Sequence, residues 1–491
     1  MTPVLAIVCL YLALVLLVGF LGHRLFRGTG EDYFLASRSI GSFILLMTLF
    51  GTNMTAFTIL GASGEAYRTG IDVFLLMGSS SAVVIPFVFY FVGTRLWWLG
   101  KRHGFLTQAE FLRARYQSNA LGLVLFIVLI TLLLPYVLIG VKGGGDVLNA
   151  LTGGPAEGLP PWAGSTLMCA VIFAYVTYGG MRSTAWVNTL QTIVFMTVGA
   201  VAFFVILGKY GGLGRAMSTV AVTHPELLVV GSGSHEFLRM ASYMLIPLST
   251  GVFPHIFSHW LSAKSAKTFR MAIVFYPLCI TVVWVPSVVL GVVGNIDFPP
   301  PLQGPILVSL ILEHSGGVLA GLLAAGVFAA IMSSLDSQTL STGTMFTTDI
   351  VRHYGFHDRL SERQQVLFGR VFVMVLLAVV LVLSVFSSRS IFSLGVWSLS
   401  GFAALFPVIV GALYWRRSTA AGALSAVVTV AVSWTVFLVR SLGVEGEYTV
   451  AGSGLMPVAV MFAGACSSFI VVSWFTLPPD DDVIDQFFPD S

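Results

Sequence analysis

Charge is what this chain lacks most. Only 10% of its 491 residues are Asp, Glu, Lys or Arg, against about 25% in soluble domains, so a water-soluble fold is excluded. Long polar stretches are missing too. The apolar residues, 56% of the chain, fall into blocks of roughly twenty, the length at which a helix crosses a hydrocarbon core about 30 Å thick. The short alternating segments of a transmembrane barrel are absent. Cysteine is scarce: Cys9, Cys169, Cys279 and Cys466 lie inside apolar blocks without paired spacing, so neither a disulfide framework nor a zinc site is legible. No GxxxxGK[ST] phosphate loop occurs, which excludes an ATP-driven engine. No segment between blocks is long enough for a catalytic module. The net charge of +3 is near neutral and the basic residues are scattered, which argues against nucleic-acid binding. The Met1-Thr2-Pro3 start has no basic n-region of a signal peptide. Asn53-Met54-Thr55, the only glycosylation triplet, lies inside an apolar block.

What is present is an all-α, polytopic pattern of about thirteen spans: 3–22, 42–68, 71–97, 120–150, 163–180, 184–207, 236–261, 268–294, 317–350, 365–386, 390–413, 419–441 and 454–476. The basic residues decide its orientation. With the N-terminus outside, the inward loops collect Arg24, Arg27, Arg38, Arg95, Lys101, Arg102, Arg113, Arg115, Arg182, Lys264, Lys267, Arg270, Arg352, Arg359, Arg363, Arg370, Arg416 and Arg417, about 18 of the 25 Lys and Arg. The positive-inside rule therefore puts the C-terminal acidic tail in the cytoplasm of a cell inner (plasma) membrane protein.

Two spans break the apolar monotony. The second reads Phe50-Gly51-Thr52-Asn53-Met54-Thr55-Ala56-Phe57 and the seventh Ile246-Pro247-Leu248-Ser249-Thr250-Gly251-Val252-Phe253-Pro254-His255. Pro removes an amide donor and Gly weakens a helix, so both are candidates for unwound helix, with ordinary kinks as the plainer reading. Their spacing, five spans apart, is that of transporters built as inverted repeats, in which freed carbonyls coordinate a cation. The ninth span carries a small-residue stripe, Gly317, Gly321, Ala325, Ala329, Ser333, Ser337 and Ser341, with Ser334 beside it. Close helix packing accounts for the glycines and alanines. The hydroxyls suit a small hard cation, or bond back to their own helix.

A carboxylate within a span needs a partner, water or an ion, and Asp336 is such a carboxylate unless an inner vestibule keeps it wet. Lys142 and Asp146 lie one turn apart, either as an i,i+4 pair or with Lys142 holding an anionic substrate. His255 and His259 share a helix face but have no Glu or Cys companion, too little for a transition-metal site. Gly208-Lys209-Tyr210-Gly211-Gly212 reads as loop.

The sequence resembles the solute:sodium symporter family over most of its length. The matching segments are Tyr33-Phe34-Leu35-Ala36-Ser37-Arg38-Ser39, Gly179-Gly180-Met181-Arg182 with Trp186, Asn188 and Gln191, Pro254-His255, and Ala330-Ile331-Met332-Ser333-Ser334-Leu335-Asp336-Ser337-Gln338. Gly401 through Pro407, Leu413-Tyr414-Trp415-Arg416 and Gly422-Ala423 complete the set. The resemblance implies a LeuT-type inverted repeat of two five-helix units. Residues 1–41 would hold the first span and a cytoplasmic loop, 42–207 the first unit, 208–235 an extracellular loop, 236–413 the second unit, 414–476 two peripheral spans and 477–491 the acidic tail.

It also implies sodium-coupled uptake of a small organic solute by alternating access. Matched by motif, the sodium ligands are the carbonyls of Gly51, Met54 and Ala330 and the hydroxyls of Ser333 and Ser334. Phe50, Asn53, Phe57, Phe253, His255, Trp397 and Ser398 are expected to line the substrate cavity with Lys142, and Asn188 and Asp336 to mark the ion path. The segment from Pro254 to Lys267 is closer to the pantothenate and carboxylate branch than to the sugar branch, which points to a carboxylate or zwitterion. The expected partners are that solute and membrane lipid, with no nucleic acid and no obligatory protein.

Three positions depart from the family pattern. Asn53 and Asn188 replace acids common in relatives, and His259 stands where some have Arg. Proton coupling through Asp336, or a symporter-like nutrient sensor, are the alternative readings.

Overall fold

The computed structural model describes residues 3–23, 38–231, 234–356, 361–444 and 446–488. The Tyr33–Ser37 part of the family motif lies outside them, as do Arg24, Arg27 and Arg359. Among the described residues there is no strand, only an isolated bridge between Ile40 and Ala263.

In chain order the helices are α1 (Pro3–His23), α2 (Ser42–Asn53), α3 (Phe57–Thr69), α4 (Phe74–His103), α5 (Gln108–Tyr116), α6 (Asn119–Thr152), α7 (Pro161–Ala174), α8 (Gly180–Lys209) and α9 (Leu213–Thr223). They continue as α10 (His235–Gly251), α11 (Pro254–Ser262), α12 (Ala266–Ile296), α13 (Ile306–His314), α14 (Gly317–Gly355), α15 (Gln364–Phe386), α16 (Ile391–Tyr414), α17 (Ala420–Arg440), α18 (Pro457–Phe475) and α19 (Asp481–Phe487). Ten of these are long and apolar enough to cross a membrane, and twelve spans result when the bent pairs α2/α3 and α10/α11 each count as one. The fifth expected span, 163–180, corresponds to the shorter α7, which falls below that length. Its helix runs into α8 through Gly180, whose φ of 62° and ψ of −174° suit only glycine. The second glycine of the Gly179-Gly180 motif is thus a joint between spans.

The stretch expected as a loop over 208–235 is partly helical, with α9 and a 3₁₀ turn at Pro225–Leu228. Residues 210–212 do form a turn. A further helix, α13, occupies the connection before the ninth span.

α14 forms the centre of the bundle. Its small-residue stripe lets neighbours approach closely: Gly321 abuts Val4 and Ile7 of α1, and Gly326 abuts Val198 of α8. α2 packs against α8, α12 and α14. Large apolar side chains on the perimeter point outward, Leu10, Phe204 and Val274 among them, as a lipid-facing belt requires. The chain is an integral membrane protein.

The end of the bundle that gathers the basic residues is tied shut. Arg38 donates to the carbonyls of Gly100 (3.1 Å) and Leu261 (3.3 Å), and Trp97 Nε1 donates to Ala263 O (2.8 Å). The acidic tail folds back there as α19. Phe487 stacks on His103 at 5.1 Å, and Phe488 lies under the guanidinium groups of Arg95, Arg115 and Arg416.

Candidate ion and substrate site

Both irregular spans are broken where their sequences are polar. α2 ends at Asn53 and α3 starts at Phe57 after a 53° bend; α10 and α11 meet at 49°. At the first break Met54 takes φ −90° and ψ 91°. A ψ so far from the helical value of about −42° turns its carbonyl out of the helical row. At the second, Ile246–Gly251 tightens into a 3₁₀ turn and Pro254 opens α11, where its missing amide costs nothing.

The first break faces the serine stretch of α14. Ser333 Oγ lies 2.8 Å from Gly51 O and 3.0 Å from Ala330 O. Three of the five expected sodium ligands, one hydroxyl and two carbonyls from two helices, therefore converge, all of them hard oxygen donors. Ser334 is also buried, but its hydroxyl donates to Ile331 O at 3.1 Å within its own helix. Gly51 is required by the same approach. A Cβ there would collide with Thr192 Oγ1 of α8, a hydroxyl that already donates toward Met47 O (3.0 Å) and Asn188 O (2.7 Å).

Asn188 and Asp336 sit beyond this group. Asn188 Nδ2 donates to Ser337 Oγ (2.7 Å), which also meets His259 Nε2 (2.9 Å). One buried polar network thus joins α8, α11 and α14. Asp336 is fully buried and within electrostatic reach of Tyr11 on α1. Among the described residues no cluster of three or more His, Cys, Asp or Glu could hold a transition metal, and His255 and His259 serve in different surroundings.

The expected substrate residues divide into three groups. Phe50, Asn53, Phe253 and His255 stand at the two breaks. Asn53 Nδ2 donates to Tyr276 OH (2.7 Å), and Phe50 meets that ring edge-on at 5.3 Å. His255 is fully buried beside Phe253 (4.8 Å) and Tyr136 (5.8 Å), and among the described residues neither ring nitrogen has a hydrogen-bond partner. Phe57 belongs to a second group. It stacks on Phe392 (5.0 Å) and meets Trp284 (6.0 Å), forming a floor beneath a cavity of about 690 Å³ that also touches Trp397. Lys142 and Ser398, the third group, are each bonded to a backbone carbonyl. Lys142 Nζ donates to Ser387 O (3.4 Å) with Asp146 one turn on. Ser398, fully buried, donates to Leu132 O of α6 (2.7 Å). Tyr136, Tyr276 and Thr192 are members that the sequence did not single out, and only their position inside otherwise apolar spans could have drawn attention to them; Ser337 was visible only as part of the small-residue stripe and His259 only as the companion of His255.

The family model described as sodium:solute symporter family matches residues 33–429. The chain belongs to the sodium:solute symporter family. It is accordingly a secondary transporter rather than an enzyme, with sodium as its coupling ion. Similar curated proteins include the sodium/pantothenate symporter of Escherichia coli (strain K12), 26% identical over 452 residues and covering 89% of this chain and 91% of that one. The osmoregulated proline transporter OpuE of Bacillus subtilis (strain 168) is 26% identical over 454 residues, with 89% of each chain covered. Among solved structures, a sodium-coupled sialic acid symporter in a substrate-bound outward-open state superposes with a TM-score of 0.78 at 18% identity, over 98% of this chain and 99% of that chain. A nucleobase-cation-symport-1 family transporter in a closed conformation with bromovinylhydantoin bound gives 0.59 at 14% identity, over 94% and 96%. These likenesses establish the LeuT-type fold for this symporter-family chain.

Proposed function

We propose that this symporter carries a small organic solute bearing a carboxylate, an anion or a zwitterion, into the cell by alternating access. The observation that carries the ion half of the reading is the convergence of Ser333 Oγ with the Gly51 and Ala330 carbonyls. The Met54 carbonyl, freed from helical geometry, and the Ser334 hydroxyl after rotation off Ile331 complete a five-oxygen sodium shell. Asn188 and Asp336 lie on the path by which the ion leaves. Phe50, Asn53, Phe253 and His255 form the central substrate surface, and the unpartnered nitrogens of buried His255 supply a hydrogen-bonding site for a polar group.

The positive-inside rule sets the basic end in the cytoplasm, with the N-terminus outside and residues 42–207 and 236–413 as the two inverted units. The closed basic end and the cavity at the opposite end then correspond to an outward-facing form. Support for the carboxylate comes from relatives that carry pantothenate and proline, both of which contain one.

The test is flux. Protein reconstituted into proteoliposomes is given radiolabelled pantothenate, proline and a neutral sugar, with a sodium gradient or with choline in its place. Sodium-gradient-driven accumulation of a carboxylate solute, lost with choline, is the expected result. Accumulation driven by a pH gradient alone and abolished in Asp336→Asn, or preference for the sugar, would overturn the reading.

A further inference from the structure

The 690 Å³ cavity at the end opposite the basic cluster is of ligand size, and its charges are almost all matched. Glu65 pairs with Arg68. Arg239 meets Glu447 (2.6 Å), Glu236 (2.9 Å) and Asp72 (3.1 Å). Arg389 is the exception. Half-buried in the cavity wall, it has no carboxylate within ion-pair distance among the described residues; Nη2 donates to Ser441 Oγ (2.7 Å), and its guanidinium lies 5.7 Å from the centre of the Trp397 ring. A guanidinium held by one hydroxyl and an indole retains most of its donors for another acceptor.

Two further features favour an anion at this spot. Arg389 stands one residue before the N-cap of α16, Ser390, which accepts from Ser393 N (3.1 Å); both serines line the cavity, so the positive end of that helix also faces it. Beside the guanidinium, Trp397, Tyr448 and Phe392 give the wall an aromatic surface. A carboxylate attached to an apolar or aromatic body fits that combination.

We infer that Arg389, over Trp397, forms a vestibule site that captures the carboxylate of an organic anion before it passes the Phe57–Phe392 floor. The inference deepens the proposed function and rests on it for the direction of transport, but its electrostatic core does not depend on sodium. Arg389, rather than Lys142 with its nearby Asp146, then reads the charge of the solute.

The experiment uses the full chain with its four cysteines replaced by alanine and Ser393→Cys added as a reporter in the cavity. Modification rates by a methanethiosulfonate carrying an ethylsulfonate and by one carrying a trimethylammonium are compared at low ionic strength. For a separation on the order of 6 Å in a water-like dielectric, removing one unit charge changes each reagent's local concentration about threefold, in opposite directions. The anionic-to-cationic rate ratio should therefore fall about tenfold in Arg389→Gln and be kept in Arg389→Lys. An unchanged ratio in Arg389→Gln would overturn the site.

A second arm identifies the class: benzoate, but not the neutral isostere benzamide, should slow modification of the reporter, and only when Arg389 is present. Equal protection by both, or by neither, would remove the carboxylate assignment. Thermal stabilisation by sodium is measured on the same variants. Its absence with charge selectivity intact would sink the symport reading and spare this one; the reverse pattern would do the opposite.

Discussion

Removing the Ser333 hydroxyl is the sharpest test of the ion site, because this one atom has two separable roles. Without sodium it donates to Gly51 O or Ala330 O, a bond whose loss costs about 1 kcal/mol whatever the salt. In the proposed sodium shell it would be one of five oxygen ligands, and a contact to a charged group contributes about 1.5–3 kcal/mol. Taking about 2 kcal/mol, Kd for sodium rises about 30-fold. At a concentration of 100 Kd the wild type gains about 2.7 kcal/mol from the ion, whereas Ser333→Ala gains only about 0.9 kcal/mol by the same relation.

The assay is melting temperature in detergent against sodium, with choline holding ionic strength constant. Ser333→Ala should show a lower baseline and a right-shifted, shallower sodium dependence. Ser341→Ala, whose hydroxyl donates to Gln338 O within α14, should show the lower baseline alone. Should Ser333→Ala retain the full sodium-dependent rise and differ only by a constant offset, the hydroxyl is a helix-packing group and the convergence of oxygens at Gly51 has been misread.

Three further outcomes are expected. Gly51→Ala forces a methyl against Thr192 Oγ1 and should destabilise the protein by about 1–3 kcal/mol; adding Thr192→Ala should recover part of that, and strictly additive losses in the double variant would refute the contact. His255→Phe keeps the aromatic stack with Phe253 and Tyr136, so melting without substrate should change by under about 1.5 kcal/mol while substrate-induced stabilisation disappears; normal transport in this variant would make His255 a packing residue. Glu110, in the α5 cap beside Leu106 N (2.8 Å), has its carboxyl raised above the usual carboxylate range by burial, with the Leu106 amide and Arg352 pulling it back. Its contribution is complete below the unfolded-state value of about 4.3 and is lost as pH rises through the higher folded value. Glu110→Gln should flatten that part of a melting-temperature profile against pH, and an unaltered slope would count against the burial argument.

The membrane-spanning class, the helical content and the two broken helices were legible in the sequence alone, whereas the expected count of thirteen spans stands against ten, or twelve with each bent pair taken as one. The first three were legible because hydrocarbon tolerates no unsatisfied backbone. Twenty-residue apolar blocks have one solution there, and Gly, Pro and polar residues in mid-block mark where that solution fails. Ser333 and Gly51 were legible as a pair only through motif resemblance.

The tertiary structure decided what depends on side-chain direction across long separations. It turned Ser398 toward the Leu132 carbonyl and set Lys142 against the Ser387 carbonyl. It joined Asn188 to His259 through Ser337, and it left Arg389 with no carboxylate within ion-pair distance among the described residues, in a cavity where Glu65 pairs with Arg68 and Arg239 with Glu447. Hydropathy periodicity fixes which residues enter the membrane, but rotation of each helix about its axis is set by packing against its neighbours. That rotation is what assembles a site.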